Sequence, residues 1–335
     1  MSLAASAVPG VLDTADPALT AEVRRSLALV EDRLREVVAS GHPLLSESAG
    51  HLFAAGGKRL RPLLALLAAH LGDPGRPGVV DAAVVVELTH LATLYHDDVM
   101  DEAEVRRGAP SANTRWTNNV AILTGDYLFA RASDLTAGLG TEATHLQART
   151  FARLVEGQIA ETAGPLAGAD PVEHHLKVLS DKTGSLIATS ARLGALMSGA
   201  PAGHVDTVAA YGEAIGVAFQ LSDDLIDVLS DSEESGKTPG TDLREGVATL
   251  PVLLVRAADD PGGDQLRTLL CGDLSDDALL AEALRLLRAH PATQQARARL
   301  AGCVESARSI AGELPPSPAR DALLALTDFV LARTG

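Results

Sequence analysis

Two short acidic clusters are the residues in this chain best suited to do chemistry: His96-Asp97-Asp98-Val99-Met100-Asp101 and Ser222-Asp223-Asp224-Leu225-Ile226-Asp227. Within each, the first and last aspartates are four residues apart, so on a helix they share a face with a third carboxylate beside them. Like charges at this spacing disfavour an isolated helix by about 0.2–0.5 kcal/mol per pair, a cost that vanishes when a hard divalent cation lies between them. The competing reading is two solvated acidic faces. Their flanks argue against it, because Leu94-Tyr95 and Ala218-Phe219-Gln220-Leu221 are not the neighbours of a solvated stripe. The clusters begin 126 residues apart, at Asp97 and Asp223. They predict two helices from distant parts of the chain, facing one another across a metal-dependent site.

Basic residues stand where they would complete such a site. Gly56-Gly57-Lys58-Arg59-Leu60-Arg61-Pro62 precedes an apolar run, so Pro62 is expected to open a helix with Lys58 and Arg61 at its start. Backbone N–H groups, the positive end of the helix dipole and two cations would then converge on a phosphate group. His90 lies seven residues before Asp97, on nearly the same helix face and about 10 Å toward the N-terminus. Arg106-Arg107-Gly108 follows the first cluster at a turn, and Lys182-Thr183-Gly184 and Lys237, in a Gly/Pro loop, add further donors.

The elements that must position these groups read as helices. The chain is Ala/Leu-rich with helical spacing and has no series of short alternating strands. Asp16-Pro17 reads as an N-cap followed by proline, opening an amphipathic helix through about Ser40. Breaks rich in Gly, Pro, Asp or Ser at 72–78, 107–110, 164–171, 199–203, 230–246, 259–263 and 314–318 leave room for roughly ten or more helices of ordinary length. These features predict one large all-α domain over residues 1–335, a helical bundle around a central cavity, with residues 1–16 as a flexible lead-in.

Composition narrows the partners. Lysine and arginine number 28 against 44 aspartate and glutamate, a formal charge of −16 that argues against nucleic acid and against an anionic membrane surface. The longest nearly uninterrupted apolar run, 62–71, is far short of the about 20 residues of a membrane span, and the N-terminus does not read as a secretory signal. Cys271 and Cys303 fit no disulfide or metal framework and read as packed thiols. The expectation is a soluble, cytoplasmic protein with no integral membrane segment.

Taken in order, GGKRLRP at 56–62, DDVMD at 97–101 with Arg106-Arg107, Gly125-Asp126-Tyr127, Lys182-Thr183-Gly184, FQLSDDLID at 219–227 and GKTPGTDL at 236–243 resemble the trans-isoprenyl diphosphate synthases, or polyprenyl synthetases. The resemblance spans nearly the whole chain. It implies that Asp97, Asp98, Asp101, Asp223, Asp224 and Asp227 hold Mg²⁺ on the diphosphate of an allylic primer. It also implies that Arg106, Lys182 and Lys237 stabilise the departing diphosphate, and that Lys58, Arg61, His90 and Arg107 hold isopentenyl diphosphate. Thr183 and Gln220 would orient reacting groups, Phe219 would pack beside isopentenyl diphosphate, and the family implies a homodimer packed through helices. One departure is Val247, where many relatives carry lysine.

Product length is implied more weakly. Ala92 and Thr93, five and four residues before Asp97, are small where short-chain relatives carry a Tyr or Phe floor, so the chain resembles the long-chain bacterial branch. Phe129, Leu135 and Leu139 are candidates for the floor, and Ala92 could instead serve close helix packing. A short-chain farnesyl or geranylgeranyl diphosphate synthase is the nearest alternative. A class I terpene cyclase fits less well, since Asp227 and Ser230 stand where its metal triad needs Ser/Thr and Glu, and aromatics are only 3% of the chain. A silent helical partner subunit would have no use for two complete aspartate clusters.

Overall fold

The computed structural model describes residues 16–230, 239–260 and 263–334. The expected flexible lead-in therefore lies, Asp16 apart, outside the described residues. In chain order the helices are α1 (Pro17–Val38), α2 (Pro43–Ala54), α3 (Leu60–Ala69), α4 (Val79–Met100), α5 (Ala112–Arg115), α6 (Asn118–Leu139), α7 (Thr141–Ala163) and α8 (Pro171–Leu179). They continue as α9 (Ser185–Met197), α10 (Ala202–Leu229), α11 (Thr241–Arg244), α12 (Leu250–Ala257), α13 (Asp264–Leu270), α14 (Asp277–Ala289), α15 (Pro291–Gly312) and α16 (Pro318–Ala332). A single π-helical turn, Ser180–Gly184, joins α8 to α9. Among the described residues the only strands are β1 (Val105–Arg106) and β2 (Ala109–Pro110), paired antiparallel. The all-α expectation holds, with sixteen helices among the described residues.

The chain groups into two compact units. The first comprises Met1–Arg153, Ser185–Gly212 and Ile310–Ala325, and the second Leu154–Gly184, Glu213–Ser309 and Leu326–Gly335. The dividing points fall inside α7, α10, α15 and α16 and between the π turn and α9.

In the first unit the Asp16 side chain accepts hydrogen bonds from the N–H groups of Ala18 and Leu19 at 2.9 and 3.0 Å, with Pro17 at the first helical position. Capped this way, α1 starts where the sequence places it and buries Leu19, Val23, Leu27, Val30 and Leu34. Helix α4 is packed by α1, α3, α6 and α9. By length and composition it could cross a membrane, unlike the 62–71 run, but 67% of that stretch is buried within the protein. It is a core helix.

Two crossings in this unit depend on missing side chains. A Cβ on Gly194 of α9 would lie 1.9 Å from the Ala65 carbonyl oxygen of α3. One on Gly125 of α6 would lie 2.4 Å from His96 Nε2 and 3.1 Å from the Ala92 carbonyl oxygen, both on α4. The second unit has its own core, in which Val228 of α10 packs with Leu243, Val252, Val255, Leu266, Leu280 and Leu287 from α11 to α14.

Candidate active site

The first aspartate cluster closes α4. Asp98 is fully buried, Asp97 half-buried, and Asp101 is the exposed C-cap residue. Glu102 follows in the left-handed region at φ 50°, and the Ala103 N–H reaches back to the Asp98 carbonyl at 3.0 Å, a Schellman-type closure that fixes the backbone of Asp98. Arg106 Nε donates to Asp98 Oδ1 at 2.6 Å, and Arg106 Nη2 lies 3.8 Å from Asp101 Oδ2. The two-strand ladder aims it there. Arg107 (φ 55°) and Gly108 (φ 74°) occupy the two central positions of a primed hairpin turn, which demands positive φ at both. Asp98 Oδ2 is buried and accepts no hydrogen bond.

The basic loop lies in the same unit. Helix α3 opens at Leu60, two residues earlier than Pro62, because Arg59 takes up the left-handed region at φ 49° and ends the loop there. Arg59 is buried and donates to Glu31 Oε1 at 2.5 Å, to Glu87 Oε1 at 3.0 Å and to the carbonyls of Phe53 and Gly56 at 3.3 and 3.4 Å. Burial opposes its charge, but Glu87 and Glu31 outweigh it and push its pKa up. From the other side Arg107 donates to the Leu52 carbonyl at 3.0 Å and to the Gly56 carbonyl. Gly57 threads between the two guanidinium groups, and a Cβ there would lie 2.8 Å from Arg59 Nη1 and 3.0 Å from Arg107 Cζ.

Lys58 is exposed, whereas the Arg61 Nε is buried and donates to nothing. Burial pushes the Arg61 pKa down to about 10, with Glu87 opposing and Arg107 adding to the fall. His90 is held well below its ordinary pKa by burial and then by Arg61, Arg107, Arg59 and Arg106, so it is neutral. The structure thus brings Arg61, His90, Arg106 and Arg107 into one electrostatic neighbourhood beside the first cluster. Further along α4, Ala92 is fully buried at the crossing with Gly125, and Thr93 Oγ1 donates to the His90 carbonyl at 2.8 Å. Phe129 packs on Phe151 with ring centroids 4.2 Å apart.

The second cluster belongs to the second unit. Thr183 Oγ1 donates to Gln220 Oε1 at 3.3 Å, and Gln220 Nε2 donates to Asp224 Oδ1 at 3.1 Å. Asp224 Oδ2 is buried without a hydrogen bond, 3.5 Å from an equally unbonded His175 Nε2. Asp223 pairs with Arg333, whose guanidinium lies 4.6 Å over the Phe219 ring. Asp227 accepts from the N–H groups of Thr241 and Asp242 at 3.1 Å each, at the start of α11. Lys182 sits in the π turn and pairs with Glu161. Lys237 lies outside the described residues.

Sequence reasoning missed Glu31, Glu87, the structural use of Arg59, and His175. His175 stands seven residues before Lys182, the spacing of one helix face, which is the sole signal that could have found it. The π turn had none.

The donor set fits a hard divalent cation. Each cluster presents one buried carboxylate oxygen without a hydrogen-bond donor, Asp98 Oδ2 and Asp224 Oδ2, and anionic oxygens are the ligands that Mg²⁺ and Ca²⁺ prefer. Among the described residues no three His, Cys, Asp or Glu side chains stand together at metal-holding separations. Arginines engage the carboxylates, Arg106 in the first cluster and Arg333 in the second.

Comparison with known proteins places this geometry. Residues 42–287 match the polyprenyl synthetase family. The chain is 49% identical, over 336 aligned positions covering the full length of both, to the nonaprenyl diphosphate synthase of Mycobacterium tuberculosis. Among solved structures it is similar to a geranylgeranyl pyrophosphate synthase from Corynebacterium glutamicum complexed with calcium and isoprenyl diphosphate. That match has a TM-score of 0.86 and 46% identity and covers 96% of this chain and 98% of the other. It is similar too to a decaprenyl diphosphate synthase from Rhodobacter capsulatus, with a TM-score of 0.85 and 36% identity, covering 95% and 99%. The chain belongs to the polyprenyl synthetase family and is a prenyltransferase.

Proposed function

We propose that this chain condenses isopentenyl diphosphate head to tail with an allylic diphosphate, in the presence of Mg²⁺, and releases a long-chain all-trans polyprenyl diphosphate. The observation that carries the reading is the buried, half-satisfied carboxylate in each aspartate cluster, Asp98 and Asp224, set beside cations that suit a diphosphate. In this reading Asp97, Asp98, Asp101, Asp223, Asp224 and Asp227 would hold Mg²⁺, which when bound neutralises charge on the leaving diphosphate. Arg106, Lys182 and Lys237 orient that diphosphate and stabilise the negative charge that grows on it as the allylic C–O bond breaks. Thr183 and Gln220 fix the direction of Asp224. Lys58, Arg61 and Arg107 bind the diphosphate of isopentenyl diphosphate, and neutral His90 offers one hydrogen bond without adding charge. Phe219 packs beside the isopentenyl group. The isopentenyl double bond attacks the allylic cation, a C–C bond forms, and the proton lost from the adduct passes to the departing diphosphate.

Long product is supported by the small residues Ala92 and Thr93 and by the 49% identity to a nonaprenyl diphosphate synthase. A short-chain product has its own support, since Ala92 is buried against Gly125 of α6, as a residue serving helix packing would be. Purified protein should be incubated with Mg²⁺, isopentenyl diphosphate and, in turn, dimethylallyl, geranyl, farnesyl and geranylgeranyl diphosphate. Product mass then decides. Accumulation of geranylgeranyl or farnesyl diphosphate would establish the short-chain reading, and no product from any primer would overturn both. A cytoplasmic homodimer completes the reading. Its support is the exposed Ile122 and Leu123 on α6, apolar side chains that a second copy could cover.

A further inference from the structure

Glu87 is 2% exposed in the middle of the core helix α4, and no step of the reaction uses it. A buried carboxylate is unfavourable unless paired and hydrogen-bonded. Its partner is Arg59, whose fork is divided between Glu31 Oε1, Glu87 Oε1 and the carbonyls of Phe53 and Gly56, with the Phe53 ring centroid 5.0 Å away. The same residue carries a left-handed backbone at the entry to α3, between Lys58 and Arg61. Arg107 grips the Gly56 carbonyl from the opposite side.

We propose that Glu87, together with Glu31, acts through Arg59 as a positioning set that fixes the 56–61 loop so that Lys58 and Arg61 meet the diphosphate of the non-allylic substrate. The inference rests on the reading of Lys58 and Arg61 as that diphosphate's binding residues. Anchored on α1 and α4 at once, the Arg59 fork leaves its backbone one conformation. That conformation holds Gly57 between two guanidinium groups and sets where α3 begins. Three arginines, Arg59, Arg61 and Arg107, balance against two carboxylates, Glu31 and Glu87, so the neighbourhood keeps a net positive charge of 3 − 2 = +1 before Lys58 is counted. Glu87 interacts with all three arginines.

Field and geometry make opposite forecasts for Glu87→Gln. Removing a buried anion beside an anion site should tighten anion binding if the field alone matters. If Glu87 positions the loop, binding should weaken, by roughly tenfold for a displacement of a fraction of an ångström. Calorimetric titration with inorganic pyrophosphate and steady-state kinetics read this directly. The expected result is weaker pyrophosphate binding and a raised KM for isopentenyl diphosphate, with kcat and the allylic KM unchanged. Arg59→Lys, which keeps the charge and loses the fork, should reproduce that split. Glu31→Gln gives a second measurement should Glu87→Gln fail to fold. Tighter pyrophosphate binding, or an equal loss in every kinetic constant alongside a lowered melting temperature, overturns the proposal. Arg61→Ala separates the two levels of inference. If it leaves the isopentenyl diphosphate KM unchanged, the binding reading itself is wrong; if it raises that KM while Glu87→Gln and Arg59→Lys do not, only the positioning role fails.

Discussion

Asp98 and Asp224 are the side chains on which catalysis should depend most steeply. Asp98→Ala or Asp224→Ala is expected to lower kcat by about a hundredfold or more, since each removes charge stabilisation at the ionising bond. Steady-state assay with excess Mg²⁺ checks it, and a variant with full turnover would remove that aspartate from the site. His90 gives a pH dependence. The unfolded chain takes up its proton near pH 6.5 and the folded chain only well below, so between those values the unfolded state binds more protons and stability falls as pH drops below about 6.5. His70, lowered by burial, acts with the same sign. His90→Gln should flatten part of this slope when urea midpoints are compared at about pH 5.5 and 7.5.

Residues with a chemical type and a spacing were legible in the sequence: both aspartate clusters, Lys58, Arg61, His90, Arg106, Arg107, Lys182, Thr183 and Gln220. What was not legible is who pairs with whom. Glu87 reads as one polar interruption in an apolar helix, and only the fold brings Arg59 to it across 28 residues of chain. His175 likewise has meaning only once α8 is packed beside α10.

At the scale of elements, helices were readable because their caps and apolar spacing are local, as Asp16-Pro17 before α1 illustrates. The two-residue strands were not, since their pairing is fixed by turn geometry at Arg107-Gly108 and involves too few residues to show alternation. The α3–α9 crossing makes a sharp forecast. Gly194→Ala would drive a methyl group into the backbone of Ala65, and rigid backbone cannot give way as a side chain can. A loss of about 3 kcal/mol is expected, measured by urea unfolding. The α4–α6 crossing carries the length argument. Ala92→Phe lies about 7.5 Å along α4 from Asp97 at the helical rise, clear of the aspartates. If the growing chain passes there, the variant should still turn over but release farnesyl or geranylgeranyl diphosphate by mass spectrometry. An unchanged product from an active variant would place the chain elsewhere.

For the whole molecule, charge and metal are coupled. With a formal charge of −16 and both clusters acidic, diphosphate cannot be drawn by the bulk field and must arrive with a cation or at the basic loop. Mg²⁺ together with a non-hydrolysable diphosphate should therefore raise the melting temperature more than the sum of either alone, in a thermal-shift assay. Equal shifts from Mg²⁺ alone and from the combination would count against joint binding of metal and diphosphate at the aspartate clusters.

The described residues include three non-glycine positions in the left-handed region, Arg59, Glu102 and Arg107, and all three border the first aspartate cluster or the basic loop. Glycine would relieve the backbone at each, but durability favours it only where the side chain satisfies no buried group. Glu102→Gly should make this one sturdier by about 1 kcal/mol at no catalytic loss, because its side chain is exposed and its task is to end α4. At 59 and 107 the same relaxation would delete the guanidinium groups that hold the loop. A screen that rewards heat resistance and ignores turnover would therefore accept the change at 102 and reject it at 59, where glycine would strand the buried Glu31 and Glu87 without their cation.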